Sequence, residues 1–217
     1  MERTSLRDKV YNLLRRRIIT GEIAPGGSID DKEIAGRLGI SRTPVREAIK
    51  KLSDERLVDV VAQSGTRASR IDRHEVHQAY LIRRALEMES AGEAAKNMTV
   101  THSQALEQIV SEQARASGQK HFVEAISFDD AFHRYIAGIS NLSRLWVTIE
   151  ISKAELDRCR HMIAPRPGEA QSTISQHRDI IANLMGQDPE RARQAMGRHL
   201  DTAYANTITM LDAESLA

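Results

Sequence analysis

From about residue 74 to residue 214 the apolar residues recur at helical spacing, and no alternating run offers a strand. Six periodic stretches cover about 74 to 97, 100 to 117, 121 to 139, 142 to 163, 170 to 185 and 189 to 214. "APRPGE", with two prolines and a glycine in six residues, separates the fourth from the fifth, and "GQDPE" separates the fifth from the sixth. Helices joined by such short connections, with no sheet to cover, can bury their apolar faces only against one another. The back two-thirds of the chain is therefore predicted to be an all-α six-helix bundle.

The front of the chain has a different character. Leu6, Val10, Leu13, Leu14 and Ile18 mark one helix, which Gly21 stops. "GEIAPGGSID" is a turn ending in the N-cap candidates Asp30 and Asp31, and a short helix from Asp31 to Leu38 stops at Gly39. A third helix follows "LGIS". Ser41 or Thr43 can cap it, Pro44 is tolerated in its first turn, and Val45, Ala48, Ile49 and Leu52 form its inward face. Beyond Glu55, "LVDVVAQSGTRAS" has β-branched residues and a turn at Gly65, which reads as a small two-stranded wing. Character changes at Ile71 to Arg73. The expected fold is mainly α, with a winged helix-turn-helix over residues 1–72 and the helical bundle over 73–217.

Charge follows the same division. Of 31 Lys and Arg and 30 Asp and Glu, residues 1–72 hold 15 and 11, so a basic front precedes a mildly acidic back. A single cysteine, Cys159, excludes an internal disulfide framework. The start of the chain lacks a long apolar leader, and no run reaches the roughly 18 apolar residues of a membrane helix. A cytoplasmic protein that does not engage membranes is expected.

In a helix-turn-helix the second helix puts its N-terminal side chains on base edges in the major groove. Arg42 and Arg46 stand at that end, where a guanidinium can bond guanine O6 and N7 together. Thr43 can meet a base or a phosphate, and the free N–H groups of the first turn favour phosphate. Taken alone, two arginines in a first turn are more often simply solvated. The stretch "ITGEIAPGGSIDDKEIAGRLGISRTPVREAIKKLSDERLV" nevertheless resembles the DNA-binding domain of the GntR family of bacterial transcription regulators, over roughly residues 6 to 67. That resemblance implies that Arg42, Thr43 and Arg46 meet double-stranded operator DNA. It also implies support from Lys32, Ser41 and Gly65. One departure stands out: Arg56 occupies a place where the family has glycine, so it either strains that turn or ends the helix differently.

The bundle contains a second anomaly. In "HFVEAISFDDAFHRYIAGI" the apolar stripe Phe122, Ile126, Ile136 also carries Asp129 and His133, four residues apart and on one face. His177 lies on the stripe Ile174, Ile181, Leu184, and His199 shares a face with Met196 and Ala203. Buried polar groups need partners, and an aspartate with histidines from three helices makes a divalent-metal set that suits Zn, Ni, Mn or Fe alike. The plainer alternative is three histidines each hydrogen-bonded in the core. The stretch 129–133, "QHRDII" and "GRHL" resemble the metal-binding pattern of the FCD domain in the FadR branch of the same family, over about residues 73 to 214. That resemblance assigns the metal to Asp129, His133, His177 and His199, and six helices are similar to the shorter, VanR-like subgroup.

"LIRRALEMESAGEAA" resembles the first helix of that domain, with Arg83 and Glu87 on one face. A guanidinium fork matches a carboxylate, so Arg83 is a candidate for the effector acid; the alternative is a surface salt bridge to Glu87. Asn141 and Thr173 are further candidates for lining the pocket. These readings combine into a homodimeric, operator-binding repressor, not an enzyme, controlled by a small carboxylate effector at a divalent metal. Two rivals differ in kind. A metal-dependent enzyme with a DNA-binding appendage needs a free general base beside the ligands, which the stripes do not supply. A direct metal sensor needs no acid.

Overall fold

The computed structural model describes residues 5–61 and 65–215, and the chain divides between Asp72 and Arg73 into two compact units. In the first unit, α1 (Leu6–Ile19) starts at Ser5, whose hydroxyl accepts from the Asp8 N–H, and buries Val10, Leu14 and Ile18. Helix α2 (Asp31–Leu38) is capped by Asp30, which accepts from the N–H groups of Lys32 and Glu33, and ends at left-handed Gly39. Helix α3 (Arg42–Asp54) buries Val45, Ala48, Ile49 and Leu52. Ser41 occupies its N-cap position without making a side-chain bond, and Thr43 lies inside the first turn, so neither hydroxyl caps this helix.

The wing differs from expectation, and Arg56 follows one of its two alternatives. The wing is three-stranded: β1 (Ser28–Ile29) pairs with β3 (Gly65–Ala68), which pairs with β2 (Val58–Val61), in the antiparallel order β1-β3-β2. Two residues are too few to show a period of two, so Ser28 and Ile29 read as part of the turn. The rest of the wing turn, residues 62–64, lies outside the described residues. Arg56 does take the left-handed place of a glycine, at φ 59°. Its N–H donates to Ser53 O (3.0 Å) and that of Leu57 donates to Leu52 O (2.9 Å), the paired closure of a Schellman motif.

The second unit comprises α4 (Arg73–Lys96), α5 (Val100–Gly118), α6 (Phe122–Ile139), α7 (Ser143–Ser152), α8 (Ala154–Ile163), α9 (Glu169–Met185) and α10 (Pro189–Ser215). Among the described residues the expected six-helix bundle thus has seven helices, because the span 142–163 divides at Lys153, at φ −90° and ψ 4°. Trp146, Ile149, Leu156 and Ile163 keep helical phase across the division and are all buried, so periodicity reads through it. At the division the buried Lys153 ammonium donates to Asp130 of α6 at 2.7 Å and pairs with Asp157 at 2.9 Å. The core around Leu106, Phe132, Ile136, Ile180, Leu184 and Met196 is closed to solvent and joins α5, α6, α9 and α10. That closure holds the polar residues of the same stripes at fixed positions.

Candidate functional site

Ser41, Arg42, Thr43 and Arg46 are exposed together at the start of α3, with Lys32 exposed at the start of α2. Gly65 is exposed at the start of β3 with φ 91°, a conformation open to glycine and strained for other residues. Both arginines already have a partner. Asp31 accepts from Nη2 of Arg42 at 2.9 Å to each oxygen and from Nε of Arg46 at 2.9 Å. Partial desolvation works against the charge of Asp31, but the two guanidiniums hold its carboxyl below the ordinary value. Sequence reading treated Asp31 only as a cap; the pairing links residues eleven and fifteen positions apart.

In the helical unit α6 supplies Asp129 and His133, α9 supplies His177 and α10 supplies His199, all four buried. One ring nitrogen from each histidine lies within 4.8 Å of the others. The outer nitrogens of His177 and His199 are taken. Gln113 of α5 donates its amide to Asp129 Oδ1 (3.1 Å), so its oxygen faces His177 Nδ1 (2.9 Å), which must then carry the proton. In the same way Gln176 donates to Ser172 (3.2 Å) and accepts from His199 Nδ1 at 2.8 Å. His133 Nδ1 lies 2.5 Å from Glu87 Oε2, outside hydrogen-bond alignment.

The Nε2 atoms of His133 and His177 are buried with no hydrogen-bond partner. The plain reading of histidines satisfied within the core does not account for them. Asp129 lies outside this trio, 3.7 Å from His133 Nε2 and 3.5 Å from His177 Nε2, with its oxygens accepting from Gln113 and Arg160. Burial pushes the His177 pKa down to about 3 and that of His199 well below its ordinary value. Both rings are therefore neutral, the form that ligates a metal. Desolvation opposes the charges of Asp129 and Glu87, yet Arg160 beside the first and Arg83 beside the second hold both carboxyls low. Arg160 Nη2 donates to Asp129 Oδ2 at 2.5 Å, and its Nη1 donates to Asp130 and Asp157, each at 2.8 Å.

Beside this cluster is a cavity of about 130 Å³. Arg83, Asp129, Arg160 and His199 line its polar part, and Phe122 and Leu156 are among its apolar walls. Thr173 also lines it. Asn141 does not: it is exposed in the turn after α6 at φ 58°, a position its side chain tolerates for backbone reasons. The Arg83–Glu87 pair is not the surface salt bridge considered from sequence, because the two side chains are 7% and 3% exposed. Arg83 Nε donates to Glu87 (2.5 Å), while its Nη2 is buried without a partner.

Sequence reading missed Gln113, Gln176 and Arg160 and gave Glu87 no part in the site. Gln113 carried a usable signal, since it sits with Leu106 and Val110 on the buried face of α5. Arg160 carried none, lying in the mixed-charge stretch "LDRCRHMI".

Comparison with known proteins accords with both units. Residues 6–67 match the family model described as "Bacterial regulatory proteins, gntR family", and residues 75–202 match the FCD domain. The chain is similar to the HTH-type transcriptional repressor RspR of Escherichia coli K12, 34% identical over 192 residues, covering 88% of this chain and 84% of the relative. It is also similar to a probable D-xylose utilization operon transcriptional repressor of Paenarthrobacter nicotinovorans, 29% identical, covering 95% and 92%. Among solved structures, E. coli McbR/YncC shares the fold with a TM-score of 0.78 at 24% identity, covering 96% of this chain and all of that one. Among the described residues no helix is long and apolar enough to cross a membrane. The matched families and the relatives are regulators rather than enzymes, and the chain belongs to the GntR family of DNA-binding transcription regulators, with an FCD domain as its helical part.

Proposed function

We propose that this regulator is a cytoplasmic repressor whose helical unit holds a divalent metal at His133, His177, His199 and Asp129, and that a small carboxylate effector at this centre controls operator binding. The observation that carries the reading is the pair of buried, unpartnered Nε2 atoms on His133 and His177 beside a cavity lined by His199 and Arg83, whose Nη2 is also buried without a partner. The donor set fits Zn, Ni, Mn or Fe, with Gln113 and Gln176 orienting two of the rings from outside. When bound, such an ion supplies a Lewis-acidic anchor for a carboxylate oxygen. Arg83 would take the acid's other oxygen, since a guanidinium makes strong charge-assisted bonds, and Thr173 lies on the wall within the same cavity.

In this reading Arg42, Thr43 and Arg46 reach base edges, while Lys32, Ser41 and the backbone at Gly65 hold phosphates. One short helix reads few base pairs, so two copies reading a palindrome as a homodimer is the arrangement that gives specificity. The repressor sign rests on the names of the two relatives. The acid would shift operator affinity by a coupling of about 1–3 kcal/mol.

The test compares wild-type protein with the double variant His177→Ala, His199→Ala by elemental analysis after purification. Stoichiometric metal in the first and none in the second is expected; full metal in the variant overturns the assignment. Operator affinity is then titrated with metal alone and with metal plus organic acids. A response complete with metal alone makes the protein a metal sensor and removes the acid from the mechanism.

A further inference from the structure

Asp31 is the first residue of α2, yet Asp30 is the residue that caps that helix. The Asp31 carboxylate is free for another task, and it accepts from both arginines at the tip of α3. Asp31 is 19% exposed, whereas Arg42 and Arg46 are 44% and 68% exposed. Exposed ion pairs of this kind add little to stability. What the arrangement does change is the charge and the aim of the two guanidiniums.

On charge, one carboxylate set against two arginines halves the local positive excess that phosphates meet. Phosphate attraction is independent of base sequence and dominates non-specific binding. On aim, Asp31 holds Arg46 through Nε and leaves both terminal nitrogens, the end that can span guanine O6 and N7, without a bond to it. Arg42 it holds through Nη2 alone, which anchors one end of that group.

We propose that Asp31 is a specificity-determining residue, which positions Arg42 and Arg46 for base edges and withholds them from phosphates. The proposal rests on the base-reading role given above to those arginines. It makes Asp31 a positioning residue, acting on DNA through its two partners.

The experiment uses the full chain and two duplexes: one selected from a randomised pool by the wild-type protein, and a scrambled duplex of the same length and composition. Affinities of wild type, Asp31→Ala, Asp31→Asn and Arg46→Ala are measured by fluorescence anisotropy across a salt series, with circular dichroism checking that each variant is folded. Asp31→Ala is expected to bind the scrambled duplex several-fold more tightly, with a salt slope steeper by about one ion. Its preference for the selected duplex should fall about tenfold, with Asp31→Asn between it and wild type.

A preference unchanged in both Asp31 variants while Arg46→Ala loses it overturns the role of Asp31 and leaves base reading intact. Equal tightening on both duplexes does the same, reducing Asp31 to a local charge. If Arg46→Ala weakens both duplexes alike, base reading itself fails, and this proposal with it.

Discussion

Gln113 gives the sharpest test of the interior site, because its single amide holds two groups at once. It donates to Asp129 Oδ1 at 3.1 Å, accepts from His177 Nδ1 at 2.9 Å, and is 5% exposed. Gln113→Leu keeps similar bulk but leaves the His177 N–H buried without an acceptor. An orphaned buried donor costs roughly 1–3 kcal/mol. For a chain of this size that is a melting-temperature loss of roughly 2–4 °C per kcal/mol, read on metal-free protein.

Affinity for the proposed metal should fall separately, because the ring that presents Nε2 is no longer held. Loss of an outer partner lowers metal affinity roughly 10–100-fold, or about 1.4–2.7 kcal/mol. Competition with a chromogenic chelator measures this directly. Gln113→Glu is the informative control: it still accepts from His177 but sets a second carboxylate against Asp129. It should lose stability in the metal-free form and regain more of it on loading than Gln113→Leu does. A Gln113→Leu protein with wild-type metal affinity would refute the orienting argument.

Three further outcomes follow from the geometry. Arg56→Gly should stabilise the first unit by about 1 kcal/mol, since a left-handed non-glycine residue costs roughly 1–2 kcal/mol and glycine returns part of that in unfolded-chain entropy; calorimetry would show the shift. Arg160→Met removes the guanidinium that Asp129, Asp130 and Asp157 share, so urea unfolding should show a loss of about 3–5 kcal/mol. Arg83→Ala should weaken the proposed effector acid by at least about 1.5 kcal/mol, roughly tenfold, while operator binding persists, and an unchanged midpoint in an acid titration of the operator complex would remove Arg83 from the proposed effector site.

The amino-acid sequence by itself determined the class and order of the fold, because those depend on local physics. Helical phase, stop glycines and cap residues act within a few positions, so α1 to α6, α9 and α10 all lie close to where their periodicity places them. Asp129, His133, His177 and His199 were legible for the same reason: a polar residue in an apolar stripe has to be buried. Tertiary structure decided what needs partners far along the chain. Lys153 marks the division of a stretch that remains in helical phase, and its ammonium pairs with Asp130 on another helix. Strand β1 exists only because β3 returns beside it. Gln113 is 64 residues from the ring it orients and Arg160 is 31 from the carboxylate it pairs, distances that no local period spans. Asp31 was visible as a helix-start residue, but its hold on Arg42 and Arg46 required α2 and α3 to be folded against each other. Spacing along the chain thus placed side chains on faces, and packing of those faces chose which side chains met.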